Sequence, residues 1–193
     1  SLYEDYRWLP DLTIPMAKRI AEHLHIMECQ TVLDFGCARG YLVRAFREIG
    51  VQAFGVDVSA WAIANADAVA APYIQLANDT NTISRNVFDW IIAKDVLEHV
   101  PNIKETVNEI MDAAGVGVFV VVPLSPFDGG YYVVPEYEQD ITHIHRLTLA
   151  TWVRMFVRPG WTVEASYAVR GVKGNYAYAP MGNGFLKCLR IKD

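Results

Sequence analysis

Two acidic residues and a glycine-containing turn near the start of the chain could together hold a nucleoside. Asp34 ends an apolar run and is followed by Gly36 and Gly40, and Asp57 closes the next apolar run, Gln52–Val56. Glycine lets the backbone approach a ligand closely, and a carboxylate that ends the second strand accepts hydrogen bonds from both ribose hydroxyls. Each of these charge-assisted bonds contributes about 1.5–3 kcal/mol.

The first carboxylate indicates which nucleoside this turn suits. A dinucleotide site needs the pattern G-x-G-x-x-G, so that a helix N-terminus can face the pyrophosphate. Here Asp34 stands where that pattern begins, and the third glycine of the pattern is missing. The charge of Asp34 would repel a phosphate but suits a ligand that carries an ammonium and a sulfonium group. The turn therefore disfavours a nicotinamide oxidoreductase.

Three histidines could orient or deprotonate a substrate. His99 precedes Val100-Pro101, and His143 and His145 follow a long loop, with Asp140 three positions before His143. Because a nearby carboxylate orients an imidazole and raises its basicity, we predict His143 as a general base oriented by Asp140. His99 would position the substrate, although a structural hydrogen bond is an equal alternative. The alternatives for His143 and His145 are a metal site or a loop staple, meaning side chains that fix the loop by hydrogen bonds. We expect no metal, because no further cysteine or histidine cluster accompanies these two histidines.

Composition restricts the class of protein. The chain has 193 residues, of which 52% are hydrophobic and 20% charged, which indicates one globular domain with a substantial core. No apolar stretch reaches the roughly 18 residues of a membrane span. The three cysteines show no paired or metal-like spacing, so we expect reduced thiols and a cytoplasmic location.

Charge argues against a nucleic-acid surface, which would normally be basic, since the net charge is −5. The charge is nevertheless uneven, because eight basic residues and a single acidic residue, Glu164, lie between Ile141 and Lys192. These basic residues form either a solvated face or the mouth of a site that attracts an anionic substrate.

Strands and helices alternate along the first part of the chain, which predicts a parallel α/β sheet with right-handed crossovers. The predicted strands are Thr31–Asp34, Gln52–Val56, Tyr73–Leu76, Phe88–Ala93 and Val116–Val122, followed by Trp161–Val169 and Phe185–Ile191. The predicted helices are Ile14–His25, Tyr41–Ile49, one from the N-cap Ser59 through Ala70, Pro101–Ala114, and one from the cap Thr148 through Phe156. Between helix and strand, Gly115-Val116-Gly117 predicts a turn.

Residues 1–193 are expected to form one domain with two covering segments. Residues 1–28 carry aromatic side chains and a helix, which would form either a lid or a helix packed on the sheet. Residues 123–147 form the substrate loop, of which Pro123–Thr142 is long, aromatic and without periodicity. Loops of this kind in a compact domain are usually functional, so we predict that it covers the substrate.

Two stretches of the chain resemble motifs of class I S-adenosylmethionine-dependent methyltransferases. Their first motif is commonly D-x-G-C-G-x-G, and Asp34–Gly40 matches it with Ala38 in place of the middle glycine. The stretch Phe88–Pro101 resembles the fourth-strand motif of small-molecule methyltransferases, which often ends in V-L-E-H-V-P. Together the resemblance covers about residues 31–165. Ala38 requires a turn whose backbone tolerates a Cβ at this position.

The resemblance implies a Rossmann-like, seven-stranded, mostly parallel sheet with helices on both faces and a final antiparallel hairpin. It also implies S-adenosyl-L-methionine as the cofactor, with S-adenosyl-L-homocysteine as the product. The residues that it places against the cofactor are Asp34, Phe35, Gly36, Cys37, Gly40, Asp57, Val58, Asp79 and Lys94. Asp79 would lie near the adenine amino group, or it would cap a turn, as Asx residues at strand ends often do.

The stretch Asp140–His145 resembles one found in a subset of methyltransferases that act on sugar, polyketide and quinone-type substrates. We therefore predict methyl transfer to an oxygen, or less readily a nitrogen, of a small molecule, with anionic and sugar-like metabolites as candidates. The expected protein is a monomer or homodimer that engages neither membrane nor nucleic acid. A methyltransferase for RNA or protein, and a cofactor-binding domain without catalysis, are the alternatives.

Overall fold

The carboxyl ends of five parallel strands meet at one edge of a seven-stranded sheet, whose order is β3-β2-β1-β4-β5-β7-β6. The computed structural model describes residues 7–77, 87–173 and 179–191. The strands are β1 Thr31–Phe35, β2 Gln52–Asp57, β3 Ile74–Leu76, β4 Phe88–Lys94, β5 Ala114–Pro123, β6 Trp161–Ser166 and β7 Asn183–Arg190. Strand β7 is antiparallel to both β5 and β6. The predicted sheet with its final hairpin is confirmed.

Helices cover both faces of the sheet. They are α1 Pro10–Leu24, α2 Tyr41–Glu48, α3 Ala60–Ala64, α4 Ile103–Ala113 and α5 Leu149–Phe156. Short 3₁₀ turns occupy Ala71–Tyr73, Leu97–His99 and Pro135–Gln139. None of the helices in the described ranges combines the length and the apolar run needed to cross a membrane.

The continuous apolar runs of the strands result from burial on both faces. Side chains alternate along a strand, so Ile91 packs into the core under α4 and α5, while its neighbour Ile92 packs under α1 and α2. Trp152 fills the first core and Phe46 the second, and both are fully buried. Apolar side chains therefore cover both faces of the sheet, and polar groups lie at the ends of the strands.

Several predicted elements end or begin elsewhere. The helix capped by Ser59 runs only to Ala64, not to Ala70, because the carboxylate of Asp67 accepts from the backbone N–H groups of Val69 and Ala70. Such a local turn competes with helical hydrogen bonds. The cap itself is confirmed, since the Ser59 hydroxyl accepts from the N–H of Ala62 at 3.2 Å.

The predicted turn at Gly115–Gly117 is wrong, because these residues already lie in strand β5. A Cβ on Gly117 would lie 2.6 Å from both the Trp90 ring and the Cys188 carbonyl oxygen. The glycine therefore permits close packing between neighbouring strands. The helix predicted from Pro101 likewise begins two residues later, at Ile103.

Hydrogen bonds hold the segment between β5 and α5. Backbone bonds join Ser125 to Leu147, Gly129 to Arg146 and Val133 to Leu124, at 2.7 to 3.0 Å. Asp128 accepts from Thr148 and Thr151 at the start of α5. The segment that the sequence predicts as the substrate loop is thus held at both ends by hydrogen bonds.

Helix α1 packs on the sheet through its buried residues Ala17, Ile20 and Leu24. Ahead of it, the Trp8 ring lies under the guanidinium of Arg44, at 4.2 Å from the ring centre. These contacts support the packed-helix alternative for the N-terminal segment from residue 7 onward.

Several basic residues near the C-terminus hold the fold together. Arg190 donates to the carbonyls of Met111, Asp112 and Ala114 around the end of α4, and Arg158 pairs with Asp112 at 2.9 Å. Cations at a helix C-terminus satisfy its free carbonyls. This use of charge argues against a basic groove built from these arginines.

Candidate active site

The turn after β1 folds back over the end of β2. The N–H groups of Gly36 and Cys37 both donate to the Val56 carbonyl, at 2.9 and 3.0 Å. Gly36, Ala38 and Gly40 have φ angles of 77°, 48° and 81°, all in the left-handed region. Ala38, which replaces the usual glycine, thus adopts a conformation that glycine reaches without strain.

Asp57 closes this turn with its carboxylate. Its Oδ2 accepts from the Ala38 N–H at 2.7 Å, and its Oδ1 accepts from the Ser59 N–H at 2.8 Å. Each carboxylate oxygen has a second lone pair, so the group could still accept from two ligand hydroxyls. The residue that was predicted to bind ribose is therefore also a structural anchor of the turn.

Asp34 lies beside Asp57 as a buried carboxyl group. Only 5% of it is exposed, and within the described residues its side chain has no hydrogen-bond partner. Burial raises its pKa to about 7, while Lys94 opposes and Asp57 adds to this shift. A buried carboxyl without a partner suits a cationic group of a ligand.

The remaining predicted cofactor residues surround the same turn. Phe35 is half-buried at the end of β1, whereas Val58 is 83% exposed beyond the end of β2. Cys37 is buried, and burial raises its thiol pKa, which fits a packing residue and not a nucleophile. Lys94 ends β4 and donates to Asp95. Asp79 lies outside the described residues.

A second polar cluster lies beyond the ends of β4 and β5, where the substrate loop meets the turn at Leu97–His99. His143 Nδ1 lies 2.9 Å from the Tyr137 carbonyl oxygen. A carbonyl only accepts, so Nδ1 carries the proton and Nε2 of the neutral ring is a free base. Burial and the neighbouring His99 lower the pKa of His143, whereas Asp140 raises it. The ring is therefore neutral near pH 7.

Asp140 does not orient His143 in the predicted way. Its Oδ2 lies 3.7 Å from Nε2, while its Oδ1 accepts from both the N–H and the hydroxyl of Thr142. The Tyr137 carbonyl orients the ring through the other nitrogen. The Asp140 carboxylate acts on His143 by its charge, while the Asp140 backbone carbonyl accepts from the His143 N–H at 3.1 Å.

His99 and His145 hold the substrate loop to the sheet edge. His99 Nδ1 lies 2.8 Å from the Thr142 hydroxyl, and its ring centre is 4.6 Å from that of His143. His145 Nε2 lies 2.7 Å from the Val100 carbonyl, which makes His145 a loop staple. His99 is thus both a structural contact and a neighbour of the base.

Glu98 is a residue of this cluster that sequence reasoning missed. Its side chain is 1% exposed, Oε1 lies 3.9 Å from His143 Nε2, and Oε2 has no hydrogen-bond partner among the described residues. Burial and then Asp95 raise its pKa to about 8. The V-L-E-H-V-P motif contained the signal, but a motif alone does not show that the carboxyl is buried.

Glu98, His99 and His143 each offer a ligand atom, and these atoms lie within 4.8 Å of one another. Two imidazoles and a carboxylate are a donor set that a divalent cation accepts. The sequence prediction of no metal stays a prediction.

The close contact between Gly36 and Val96 gives a first prediction, on stability. An added Cβ would lie 2.4 Å from the Val96 methyl group. Gly36→Ala should therefore lower the free energy of unfolding by about 1–3 kcal/mol more than Gly50→Ala, a matched control with φ 87° and open space around it. Denaturant unfolding measures the difference. Val96→Ala should recover part of it, and equal costs for the two glycines would contradict the packing argument.

The raised pKa of Asp34 makes a second prediction, on stability. The folded protein keeps a proton on Asp34 that the unfolded chain releases, so this group lowers stability as pH rises from about 4 to about 7. In the protein without ligand, Asp34→Asn should leave stability unchanged near pH 4 and raise it by about 2–4 kcal/mol near pH 8. Unfolding curves across this range test it. A gain that did not depend on pH would exclude the buried carboxyl as the cause.

The chain is similar to known methyltransferases. The family model of the methyltransferase domain matches residues 10–166. A ubiquinone biosynthesis O-methyltransferase from Rhodopseudomonas palustris is 35% identical over 92 residues, which are 45% of this chain and 36% of that protein. The chain thus spans little more than a third of the curated relatives that it matches.

Solved structures share the fold at low sequence identity. The complex of the Haloferax volcanii Trm112 methyltransferase activator with a methyltransferase matches with a TM-score of 0.71 at 18% identity, covering 95% of this chain and 92% of that chain. The plantazolicin methyltransferase BpumL, in complex with monoazolic desmethylPZN analog and SAH, matches with a TM-score of 0.66 at 13% identity, covering 95% of this chain and 85% of that chain. The resemblance to class I S-adenosylmethionine-dependent methyltransferases is confirmed, and the chain belongs to the family of the methyltransferase domain.

Proposed function

We propose that this protein transfers the methyl group of S-adenosylmethionine to a hydroxyl oxygen of a small molecule. The observation that carries the proposal is the His143 imidazole, whose Nδ1 is fixed on the Tyr137 carbonyl and whose Nε2 is a free base. It lies at the same edge of the sheet as the turn of Asp34 and Asp57. The relatives named for O-methylation in ubiquinone biosynthesis support an oxygen acceptor.

The residues of the turn fit the cofactor. Asp57 has lone pairs left for ribose hydroxyls, and Asp34 is a buried carboxyl with no hydrogen-bond partner in the described part of the chain. Gly36 and Gly40 give the turn its left-handed φ angles, and the side chains that they lack leave room for Val96 and Ala70 to pack against it. Phe35, Cys37, Val58 and Lys94 complete the proposed site, and the complex of BpumL with SAH supports the same ligand class.

When bound, the cofactor supplies a methyl group on a sulfonium, an electrophile that already has a good leaving group. The protein therefore has to align the acceptor and remove its proton. Alignment in a site without water can contribute roughly 7–11 kcal/mol. His143 receives the hydroxyl proton on Nε2, His99 positions the acceptor, and Asp140 stabilises the imidazolium by its charge.

The substrate loop excludes water from this site. Tyr132 is buried and donates from its hydroxyl to the His145 carbonyl, and its ring packs against His143 with centres 5.3 Å apart. Because the loop is already hydrogen-bonded, closure over the acceptor would need only local adjustment around Gly129 and Gly130.

Cofactor binding gives a prediction on Asp57. Asp57→Ala should weaken binding of S-adenosylmethionine by about 2–4 kcal/mol, because two ribose bonds lose a charged acceptor. Isothermal titration calorimetry measures the affinity. Asp89→Ala is the matched control, since Asp89 also accepts from a backbone N–H, that of Thr31, but at the opposite end of the strands. Equal affinities for wild type and Asp57→Ala would remove Asp57 from the cofactor site.

The base gives a prediction on His143. His143→Asn keeps a donor for the Tyr137 carbonyl but has no Nε2, so the rate of methyl transfer should fall by roughly 10²–10⁴-fold with little change in cofactor affinity. Asp140→Asn should cause a smaller loss, and His23→Ala, on α1, should cause none. Turnover near that of wild type in His143→Asn would show that alignment alone supports the reaction.

Labelled cofactor tests the function as a whole. Incubation with methyl-labelled S-adenosylmethionine and fractionated small-molecule extract should place the label on an oxygen of a metabolite. Label on RNA or protein would replace this proposal, and cofactor binding without any labelled product would favour the non-catalytic alternative. The cytoplasmic location, the single domain and the monomer or homodimer stay predictions.

A further inference from the structure

A carboxylate, a hydroxyl group and an imidazole form a chain of hydrogen bonds beside the proposed base. The Thr142 hydroxyl lies 2.5 Å from Asp140 Oδ1 and 2.8 Å from His99 Nδ1. The Thr142 N–H donates to the same carboxylate oxygen at 2.9 Å. Asp140 thus fixes the hydroxyl group, and the hydroxyl group in turn contacts the ring that is proposed to position the methyl acceptor.

The protons of this chain can be assigned from the number of hydrogens that each group carries. Although burial opposes it, the hydrogen bonds from Thr142 hold the pKa of Asp140 below its ordinary value, so the group is an ionised carboxylate near pH 7. A carboxylate only accepts, and a hydroxyl group has one hydrogen to donate. The Thr142 hydroxyl donates that hydrogen to Asp140 and therefore accepts from His99. Nδ1 of His99 carries a proton, and in the neutral ring the lone pair lies on Nε2.

The two histidines of the cluster therefore carry their protons in the same way. His143 Nδ1 is held on the Tyr137 carbonyl, and His99 Nδ1 is held on the Thr142 hydroxyl. The ring centres are 4.6 Å apart, and one ring nitrogen of each histidine lies within 4.8 Å of the other and of a Glu98 oxygen. His99 is half-buried, whereas only 9% of His143 is exposed. His99 is thus the more accessible of the two rings to a ligand.

The hydroxyl group of Thr142 is not needed to attach the substrate loop. The Glu98 carbonyl accepts from the N–H groups of Ile144 and His145, at 2.9 and 3.2 Å. His145 Nε2 also lies 2.7 Å from the Val100 carbonyl. These bonds hold the loop in register without Thr142, which is exposed. The hydroxyl group therefore acts mainly on the imidazole that it contacts.

We propose that Asp140 and Thr142 are positioning residues, which hold the His99 proton on Nδ1 so that Nε2 contacts the methyl acceptor as a hydrogen-bond acceptor. This inference rests on the proposed function and specifies how His99 acts in it. In a free histidine side chain the proton of the neutral ring resides mostly on Nε2, so the protein has to impose the other form. The hydrogen bond to Thr142 imposes it.

This role of His99 restricts the class of methyl acceptor. The group that lies against His99 must have a hydrogen to donate, as a hydroxyl or an amine does. A carboxylate has none, so it cannot make this contact. The product of the reaction is therefore an ether or a methylated amine, and not a methyl ester.

The position of the His99 proton can be measured by ¹⁵N NMR, because protonated and unprotonated ring nitrogens resonate far apart. Spectra are recorded with S-adenosylhomocysteine bound, at about pH 8.5, where histidine rings are ordinarily neutral. Wild type should carry the proton on Nδ1. Thr142→Val, which keeps the shape and removes the hydroxyl group, should move it to Nε2. Thr142→Ser should return it to Nδ1, and Thr162→Val, an exposed threonine in β6, should match wild type.

Methyl transfer tests whether the position of this proton matters to the acceptor. The probe is methyl-labelled S-adenosylmethionine with the metabolite fraction that wild type labels. Thr142→Val should need an about 3- to 10-fold higher concentration of this fraction for half-maximal labelling, the usual effect of one hydrogen bond, with unchanged affinity for S-adenosylhomocysteine. Thr142→Ser should label as wild type does. The labelled product should resist mild alkali, which hydrolyses a methyl ester.

Each outcome decides the proposal. A His99 proton on Nε2 in wild type, or an unchanged ring in Thr142→Val, overturns it. An unchanged half-maximal concentration in a Thr142→Val protein whose His99 proton has moved also overturns it, since the bond would then serve the loop alone. A labelled product that mild alkali hydrolyses would show a carboxylate acceptor, with the same consequence. Should Thr142→Val not fold, Thr142→Ala removes the same hydroxyl group for both measurements.

Failure of this inference is distinguishable from failure of the proposed function. A wild type that labels a small molecule, while Thr142→Val labels it equally well, would retain the function and exclude the role of Thr142. A wild type that binds the cofactor but labels no small molecule would remove the function itself, and the role of His99 with it, wherever the proton lies.

Discussion

Burial of a parallel sheet on both faces is the constraint on which the rest of this structure depends. Ile91 and Ile92, adjacent in β4, lie in opposite cores, so neither face of the strand is open to a polar group. Polar side chains can then gather only where the strands end. Since β1, β2 and β4 are parallel, their carboxyl ends bring Asp34, Asp57 and Lys94 to one edge.

Two polar clusters lie at the carboxyl ends of the strands, one formed mainly by backbone groups and the other by side chains. The turn after β1 is built from backbone, with left-handed φ angles at Gly36, Ala38 and Gly40 and one carboxylate, Asp57, that accepts from two N–H groups. The proposed acceptor site is built from side chains of the substrate loop. There Tyr137 links three groups: its carbonyl holds His143, its hydroxyl holds Asn183, and its ring lies under Lys173.

The two clusters also differ in the electrostatic surroundings of their carboxyl groups. Asp34, in the turn, is buried without a hydrogen-bonding partner in the described chain, and its pKa is raised to about 7. Asp95, just after β4, is half-buried between the ammonium groups of Lys94 and Lys173, which lower its pKa although burial opposes this. The first carboxyl lowers stability near pH 7, whereas the second keeps two lysines in place. Basic residues further along the chain, such as Arg190 at the end of α4, have a structural use.

The sequence by itself determined the sheet, the turn and the carboxylates of the turn. These depend on local spacing, because apolar runs report burial on both faces and the positions of Asp34, Gly36 and Asp57 follow from where two adjacent strands end. Helix α3 shows the limit of such reasoning, since the side chain of Asp67 ends the helical region before the alanine-rich pattern does. Only the tertiary structure decided which side chains meet beyond the ends of β4 and β5. Lys173 and Asp95 are 78 residues apart, and His99 and Thr142 are 43 apart. Periodicity tells which face of an element is buried, but it contains no information on which side chains from separate loops meet at the end of the sheet.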